Sequence, residues 1–145
     1  MTHAAQRVKT LIQDMAEDRR HYLALNELLL RQREYIIARR TAELTALNEQ
    51  IMGCYQTLSQ HSQRRYRLLN QLGISASAEG IQRLIARLPA SHQKTVAALW
   101  QSLQQQAERC HAANERNAVL MNMQQEILTN LLNASEPENW LYQQG

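Results

Sequence analysis

Apolar positions recur along almost the whole chain at steps of three and four. In the longest such stretch, about residues 91–133, apolar or small residues stand at Val96, Leu99/Trp100, Leu103, Ala107, Cys110, Leu120/Met121, Ile127/Leu128 and Leu131/Leu132. That alternation puts them on one side of a helix. The stripe turns polar in the middle, at Asn114 and Asn117, and then apolar again, with Met121 and Met123 among the leucines. An all-apolar stripe would indicate only a bundle core. A polar waist with a Met-rich distal end predicts two jobs: packing near Trp100, and holding a partner helix near Leu128. The asparagines themselves have two readings. One is a polar layer that fixes helix register, as a buried Asn does in coiled coils. The other is hydrogen bonding to a partner's backbone.

The first half of the chain has the same grammar. Val8, Leu11/Ile12, Met15, Tyr22, Leu25, Leu29 and Ile36 keep heptad-like spacing, with polar residues in phase at Asp18 and Gln32. Leu28-Leu29-Leu30 widens this stripe, which suits a helix buried on two faces. Downstream the stripe resumes at Leu44, Leu47, Ile51, Cys54/Tyr55 and Leu58, but Ile36 to Leu44 is a slip of phase across the basic stretch Ala38-Arg39-Arg40-Thr41. One account is a continuous helix with a stutter, which the absence of Gly and Pro favours. The other ends a helix near Arg39 and caps a new one with Thr41. Length favours the break. An unbroken helix over residues 4–72 would run roughly 100 Å against about 65 Å for the last one, leaving apolar surface uncovered. Past Leu68, Leu69 and Leu72, Gly73 suits a helix end and Gly73–Gly80 reads as a loop. Ser77 is placed to cap a short helix through Ile81, Leu84, Ile85 and Leu88 that plugs one end of the bundle; Pro89 stops it and Ser91 is placed to cap the last helix.

The predicted fold is therefore all-α. It is an antiparallel bundle of long helices (about 4–38, 41–72 and 91–133) with one short helix (about 78–88) between the last two, packed in coiled-coil manner. Residues 1–133 form the bundle domain. Residues 134–145 form a polar tail that contains Pro137 and then Trp140-Leu141-Tyr142. The triplet either folds back onto the bundle or docks on another protein.

Composition sharpens this reading little. The 145 residues include four Gly, two Pro and no Phe, and 44% are hydrophobic, which suits long uninterrupted amphipathic helices. The net charge is +3. Arg31, Arg33, Arg39, Arg40, Arg64, Arg65 and Arg67 read as solvated helix faces, since no basic block carries interleaved aromatics or a nucleic-acid-binding pattern. Cys54 and Cys110 are in apolar phase and read as reduced, buried small hydrophobes. No secretory signal and no membrane-spanning run is visible, so a cytoplasmic protein is expected. Phosphate loops, CxxC pairs, HExxH and GxSxG are absent. The pairs Asp14/Glu17 and Glu43/Glu49 read as surface charges, and His61, two turns after Cys54, is too far from it to share a metal. No catalytic residue, metal or cofactor is expected.

The run Ala98-Leu99-Trp100…Leu103…Cys110…Asn114-Glu115-Arg116-Asn117-Ala118-Val119-Leu120 resembles the signature of FlgN-type flagellar export chaperones, an "LW…L…C…NExNGxLL"-like stretch that opens the long last helix. The segments Glu34…Ile37-Ala38-Arg39-Arg40…Leu44…Leu47, Arg64-Arg65…Leu68-Leu69…Leu72-Gly73 and Ile81…Leu84…Leu88-Pro89 follow the family's order. Pro137…Leu141-Tyr142 looks like its tail. The chain departs from the pattern at Ala118, where Gly is usual, and at Arg40/Thr41, where an acidic residue often begins the second helix. The resemblance implies a cytoplasmic chaperone for type III export. It would bind the hook–filament junction proteins FlgK and FlgL through its last helix and deliver them to the export apparatus. Its partner-binding residues would be Asn114, Asn117, Leu120, Met121, Ile127, Leu128 and Leu131, and its export-docking residues Trp140, Leu141 and Tyr142. Neither nucleic acid nor a membrane is implied as a partner, and the oligomeric state of the free chain is left open. A structural coiled-coil component of a secretion or flagellar apparatus is the alternative.

Overall fold

The computed structural model describes residues 3–135: α1 (His3–Ala38), α2 (Thr41–Gln71), α3 (Ala78–Ala86) and α4 (Ala90–Ser135), with no strand among the described residues. α1 is the shared helix, packed on both α2 and α4, while α3 packs on α4. Pairings Gln32–Asn48, Asp18–His61 and Asp14–Arg64 run α2 antiparallel to α1. Pairings Arg19–Ser102, Tyr22–Cys110 and Leu29–Asn117 run α4 parallel to α1. Consecutive long helices are thus antiparallel, as expected of an up-down-up bundle with a short plug helix.

The heptad reading of α1 explains why it can serve two neighbours. Positions 11, 15, 18, 22, 25, 29, 32 and 36 alternate steps of four and three, and every one of them is buried or half-buried. Two clusters flank the polar position at Asp18. One gathers Leu11 and Met15 with Leu69, Val96, Leu103 and the plug residues Ile81, Leu84 and Ile85, and Trp100 packs against it. The other gathers Leu25 and Leu29 with Leu47, Ile51, Leu58 and Cys110. Cys110 is a free, buried thiol that donates to Tyr22 O; burial, with a smaller push from Cys54, raises its pKa to about 11. Cys54 is only half-buried.

Between the clusters lies an ionic layer that corrects two expectations. Asp14 is not a surface charge: it is buried, and Arg64 holds it through Nε at 2.7 Å and Nη2 at 2.5 Å. Asp18 is wholly buried, with His61 Nδ1 2.5 Å from one oxygen and Arg65 on the other. Arg65 is therefore not part of a solvated face. Its burial lowers the guanidinium pKa, against the opposing pull of Asp14. His61 and Arg65 occupy core heptad phase on α2, opposite Asp18 on α1, so the layer closes only in one register.

The phase slip after Ile36 is a true break. Arg39 N–H donates to Ile36 O and Arg40 N–H to Tyr35 O, a Schellman turn with Arg39 in the left-handed region at φ 56°. The same pair of bonds ends α2, from Gly73 to Asn70 O and from Ile74 to Leu69 O, and there the left-handed residue is Gly73 at φ 70°. Thr41 does not cap α2: Arg40 stands at the N-cap with no side-chain cap bond. Arg40 instead lies over the Tyr35 ring and pairs with Glu43. Ser77 does cap α3, accepting from Gly80 N–H at 3.1 Å. Gly80 is fixed by space, since a Cβ there would meet Ser75 O at 1.8 Å. Ser91 lies inside α4, which begins at Ala90. The turn before it is tied by Gln93, whose Nε2 donates to Ala86 O and Leu88 O.

Replacing Asp18 by Leu leaves Arg65 and His61 without their carboxylate in the core, and the expected cost is about 3–5 kcal/mol by urea unfolding. The triple change Asp18→Leu/His61→Leu/Arg65→Met should recover most of that loss, because an apolar layer of similar volume needs no charge partner. Arg39→Gly should raise the unfolding free energy by about 0.5–1 kcal/mol, since glycine enters the left-handed region without the Cβ clash that arginine meets there.

Candidate partner-binding surface

Helix lengths decide what is left uncovered. α4 has 46 residues against 36 in α1 and 31 in α2. The α1–α4 pairings set Ala38, the end of α1, level with roughly residue 123 of α4, so about 18 Å of α4 runs on past the α1–α2 turn. Among the described residues, twelve large hydrophobic side chains are exposed, and seven of them lie on α4 from Val119 to Leu132. The apolar stripe of α4 is therefore divided. Val96, Leu103, Cys110 and Asn117, each seven residues from the last, are buried in the bundle. Met121, Ile127, Leu128 and Leu131 are 36–61% exposed, and Leu120 is half-buried at the boundary.

The boundary is a relay of side-chain amides. Asn117 Nδ2 donates to Leu29 O at 2.8 Å and to Gln32 Oε1 at 2.9 Å, and Gln32 Nε2 donates to Asn48 Oδ1 at 2.9 Å. One hydrogen-bonded chain thus crosses α4, α1 and α2. Of the two readings of the asparagines, register is the one that Asn117 serves, with both Nδ2 donors engaged inside the fold. Asn114 is exposed on the outside of α4. The two sequence neighbours therefore part company: one is interior, the other open to solvent.

Beyond the relay the exposed stripe meets the α1–α2 turn in an open groove of about 380 Å³. α4 contributes Met121, Gln124, Gln125 and Leu128; the turn contributes Tyr35, Ile36, Arg39, Thr41 and Leu44. The sequence reading named two of the four α4 residues lining this groove, Met121 and Leu128, and missed Gln124, Gln125 and the turn wall. The available signal was the slip from Ile36 to Leu44. It marks where a helix pair ends, and residues at such an end lose neighbours on one side. Ile37 and Leu30, 55% and 62% exposed on α1, extend the apolar character of this end of the molecule. Glu126 is the only charged residue between Val119 and Ser135, so the surface is apolar and nearly uncharged.

Other chemistry does not converge. No three His, Cys, Asp or Glu side chains among the described residues are grouped as a metal site would need. No described helix is long and apolar enough to cross a membrane. Glu43 and Glu49 are exposed on α2, and Glu17 on α1. Trp140, Leu141 and Tyr142 lie outside the described residues.

Comparison with known proteins agrees with the arrangement. No curated protein matches the chain. Among solved structures the chain is similar to one from Pseudomonas aeruginosa, determined at 1.48 Å and assigned as a flagella synthesis protein FlgN. The two share 26% identity with a TM-score of 0.71, over 78% of this chain and 87% of the other. The family model for the FlgN protein matches residues 1–139, nearly the whole sequence. With the two-cluster bundle and its overhanging last helix, this match shows that the chain belongs to the FlgN family.

Proposed function

We propose that this chain is a cytoplasmic, non-enzymatic export chaperone that holds the terminal segments of hook–filament junction proteins of the FlgK and FlgL type on the overhang of α4 and delivers them to the flagellar export apparatus. The observation that carries the reading is the division of one helical stripe. The heptad phase that fills the core at Val96, Leu103, Cys110 and Asn117 runs on to Leu131, which is exposed, and Met121, Ile127 and Leu128 are exposed beside it. Anchors at these spacings are what an amphipathic partner helix needs, and methionine adapts to the shape of whatever lies on it. The α1–α2 turn supplies a second wall through Ile36 and Leu44. Asn114 would meet the partner at the outer edge, while Asn117 holds the helix beneath it in register. Burying such a surface stabilises the complex by about 25 cal/mol per Å², offset by the cost of ordering a segment that is disordered beforehand. The balance favours release at the export gate over permanent capture. On this reading Trp140, Leu141 and Tyr142 contact the export machinery.

Co-purification with the C-terminal segments of FlgK- and FlgL-type proteins tests the reading directly. The intact chain should retain a segment. Leu128→Asp should weaken retention at least tenfold while helicity and thermal midpoint stay within error of the parent, because Leu128 supports no core cluster. Unfolding of that variant would place Leu128 in the core and misplace the site. Capture of neither segment, together with strong self-association, would favour a coiled-coil scaffold. Tyr142→Ala should leave segment affinity unchanged and reduce secretion of the junction proteins in cells; a loss of segment affinity would contradict the division of roles.

A further inference from the structure

We infer that Arg39 selects the partner by charge: its guanidinium pairs with an aspartate or glutamate side chain of the segment held in the groove, so the groove takes amphipathic helices that carry a carboxylate beside their apolar anchors. The inference rests on the chaperone reading for the presence of a segment, and adds to it the charge that the segment must bring.

Three observations carry it. The first is the position of the charge. Among the described residues that line the groove, Arg39 is the only charged one. It follows Ala38, which is level with roughly residue 123 of α4. Arg39 therefore stands on the opposite wall, between the levels of Met121 and Leu128. A helix anchored on both of these passes Arg39 between its anchors, with neither of its ends there. The carboxylate that meets Arg39 is thus a side chain, about one helical turn from an anchor and on the flank that faces the α1–α2 turn.

The second observation is that nothing in the fold answers the charge. Arg40 lies over the Tyr35 ring and pairs with Glu43 at 3.6 Å, which engages the acidic residue closest to the turn in sequence. Glu126, the one charge of the overhang, does not line the groove. No carboxylate among the described residues pairs with Arg39.

The third is the backbone. Arg39 has φ 56°, in the left-handed region that Gly73 occupies in the matching turn after α2. The turn requires that conformation, and glycine meets the requirement with less strain. Arginine there leaves the fold less stable than glycine would, and its side chain is the one that reaches the groove. A strained residue at a partner surface is the association expected of a functional position. Gln124 and Gln125, on the facing wall, offer hydrogen bonds at the same level without competing for the cation.

The test measures the affinity of the full chain for the C-terminal segment of a FlgK-type protein. In about 0.1 M salt, Arg39→Gln should weaken binding about three- to tenfold, and Arg39→Lys should recover most of the loss. In about 1 M salt the gap between parent and Arg39→Gln should shrink to about twofold or less, because the pair is partly in water and the screening length falls to about 3 Å. Arg39→Gly is the control for folding: it should bind as weakly as Arg39→Gln although its unfolding free energy is higher than the parent's. Each Asp and Glu of the segment is then changed in turn to its amide. One of these changes should weaken binding to the parent by the same factor and leave binding to Arg39→Gln unchanged. Equal affinity of parent and Arg39→Gln, with Leu128→Asp still failing to bind, would overturn the inference and leave the chaperone reading standing. So would weaker binding with no carboxylate of the segment coupled to Arg39. Coupling to the segment's terminal carboxylate, revealed by amidating its C-terminus, would overturn the assignment to a side chain. Self-association of the parent that Arg39→Gln abolishes would give the groove to a second copy of the chain and overturn the inference as well. A parent chain that holds no segment at all would defeat the chaperone reading, and the inference with it.

Discussion

The hydrogen-bonded chain from Asn117 through Gln32 to Asn48 decides where this molecule has an interior and where it has a surface. Three leucines at those positions would pack in several registers, sliding α4 along α1 by a heptad at modest cost. Amides do not allow that, because a shift of one turn leaves buried donors and acceptors without partners, each costing about 1–3 kcal/mol. The Asp18 layer makes the same demand of α2 at the other side of the second cluster. With α2 and α4 both fixed against α1, the end of the α1–α2 pair falls at one level of α4. Beyond that level, from Gln125 to Asn133, the α4 side chains are exposed, since neither α1 nor α2 runs on beside them.

An isolated helix of a dozen residues is marginal in water. The overhang escapes that limit because it does not nucleate alone: its first turns are anchored through Leu103, Cys110 and Asn117. Leu, Met, Gln and Glu dominate residues 120–128, with neither Gly nor Pro among them, and all are good helix formers. Propensity and anchoring together let the chain present apolar anchors on a rigid element at a place where packing does not protect them. Leu120, half-buried at the boundary, belongs to both regions, and its turn is where the packed stripe passes into the exposed one.

Much of this was legible from periodicity, and the gaps have physical causes. The heptads through Leu25, Leu29, Leu47 and Ile51 identify core residues because both helices of that pair are long enough there to cover each other. Gly73 and Ser77 were readable because their local chemistry admits few alternatives. Asp14 and Asp18 were harder. A carboxylate in apolar phase reads as surface until its partner is known, and Arg64 and Arg65 stand some 50 residues away with a charge pattern that itself looks solvated. Arg39 in the left-handed region gave no signal either, since the residue type usual there is glycine. Its conformation follows from the turn that α1 and α2 must make, and that is a tertiary demand. The exposure of Leu131 and the burial of Leu103, four heptads before it, are indistinguishable by phase. Only the unequal lengths of the helices separate them.

That inequality bears on how a chaperone of this kind could load and release without opening its core. A partner that inserted between α1 and α2 would have to part Asp18 from Arg65 and His61, exposing charges whose pairing holds the bundle together. A partner laid on the overhang disturbs none of these contacts. The bundle up to Asn117 then stays the same in the free and loaded states, and only side chains that are already wet change their neighbours. On the proposed reading, exchange at the tip would be governed by the area offered by Met121, Ile127, Leu128 and Leu131. Affinity can therefore be adjusted there, residue by residue, with little effect on the stability of the fold beneath.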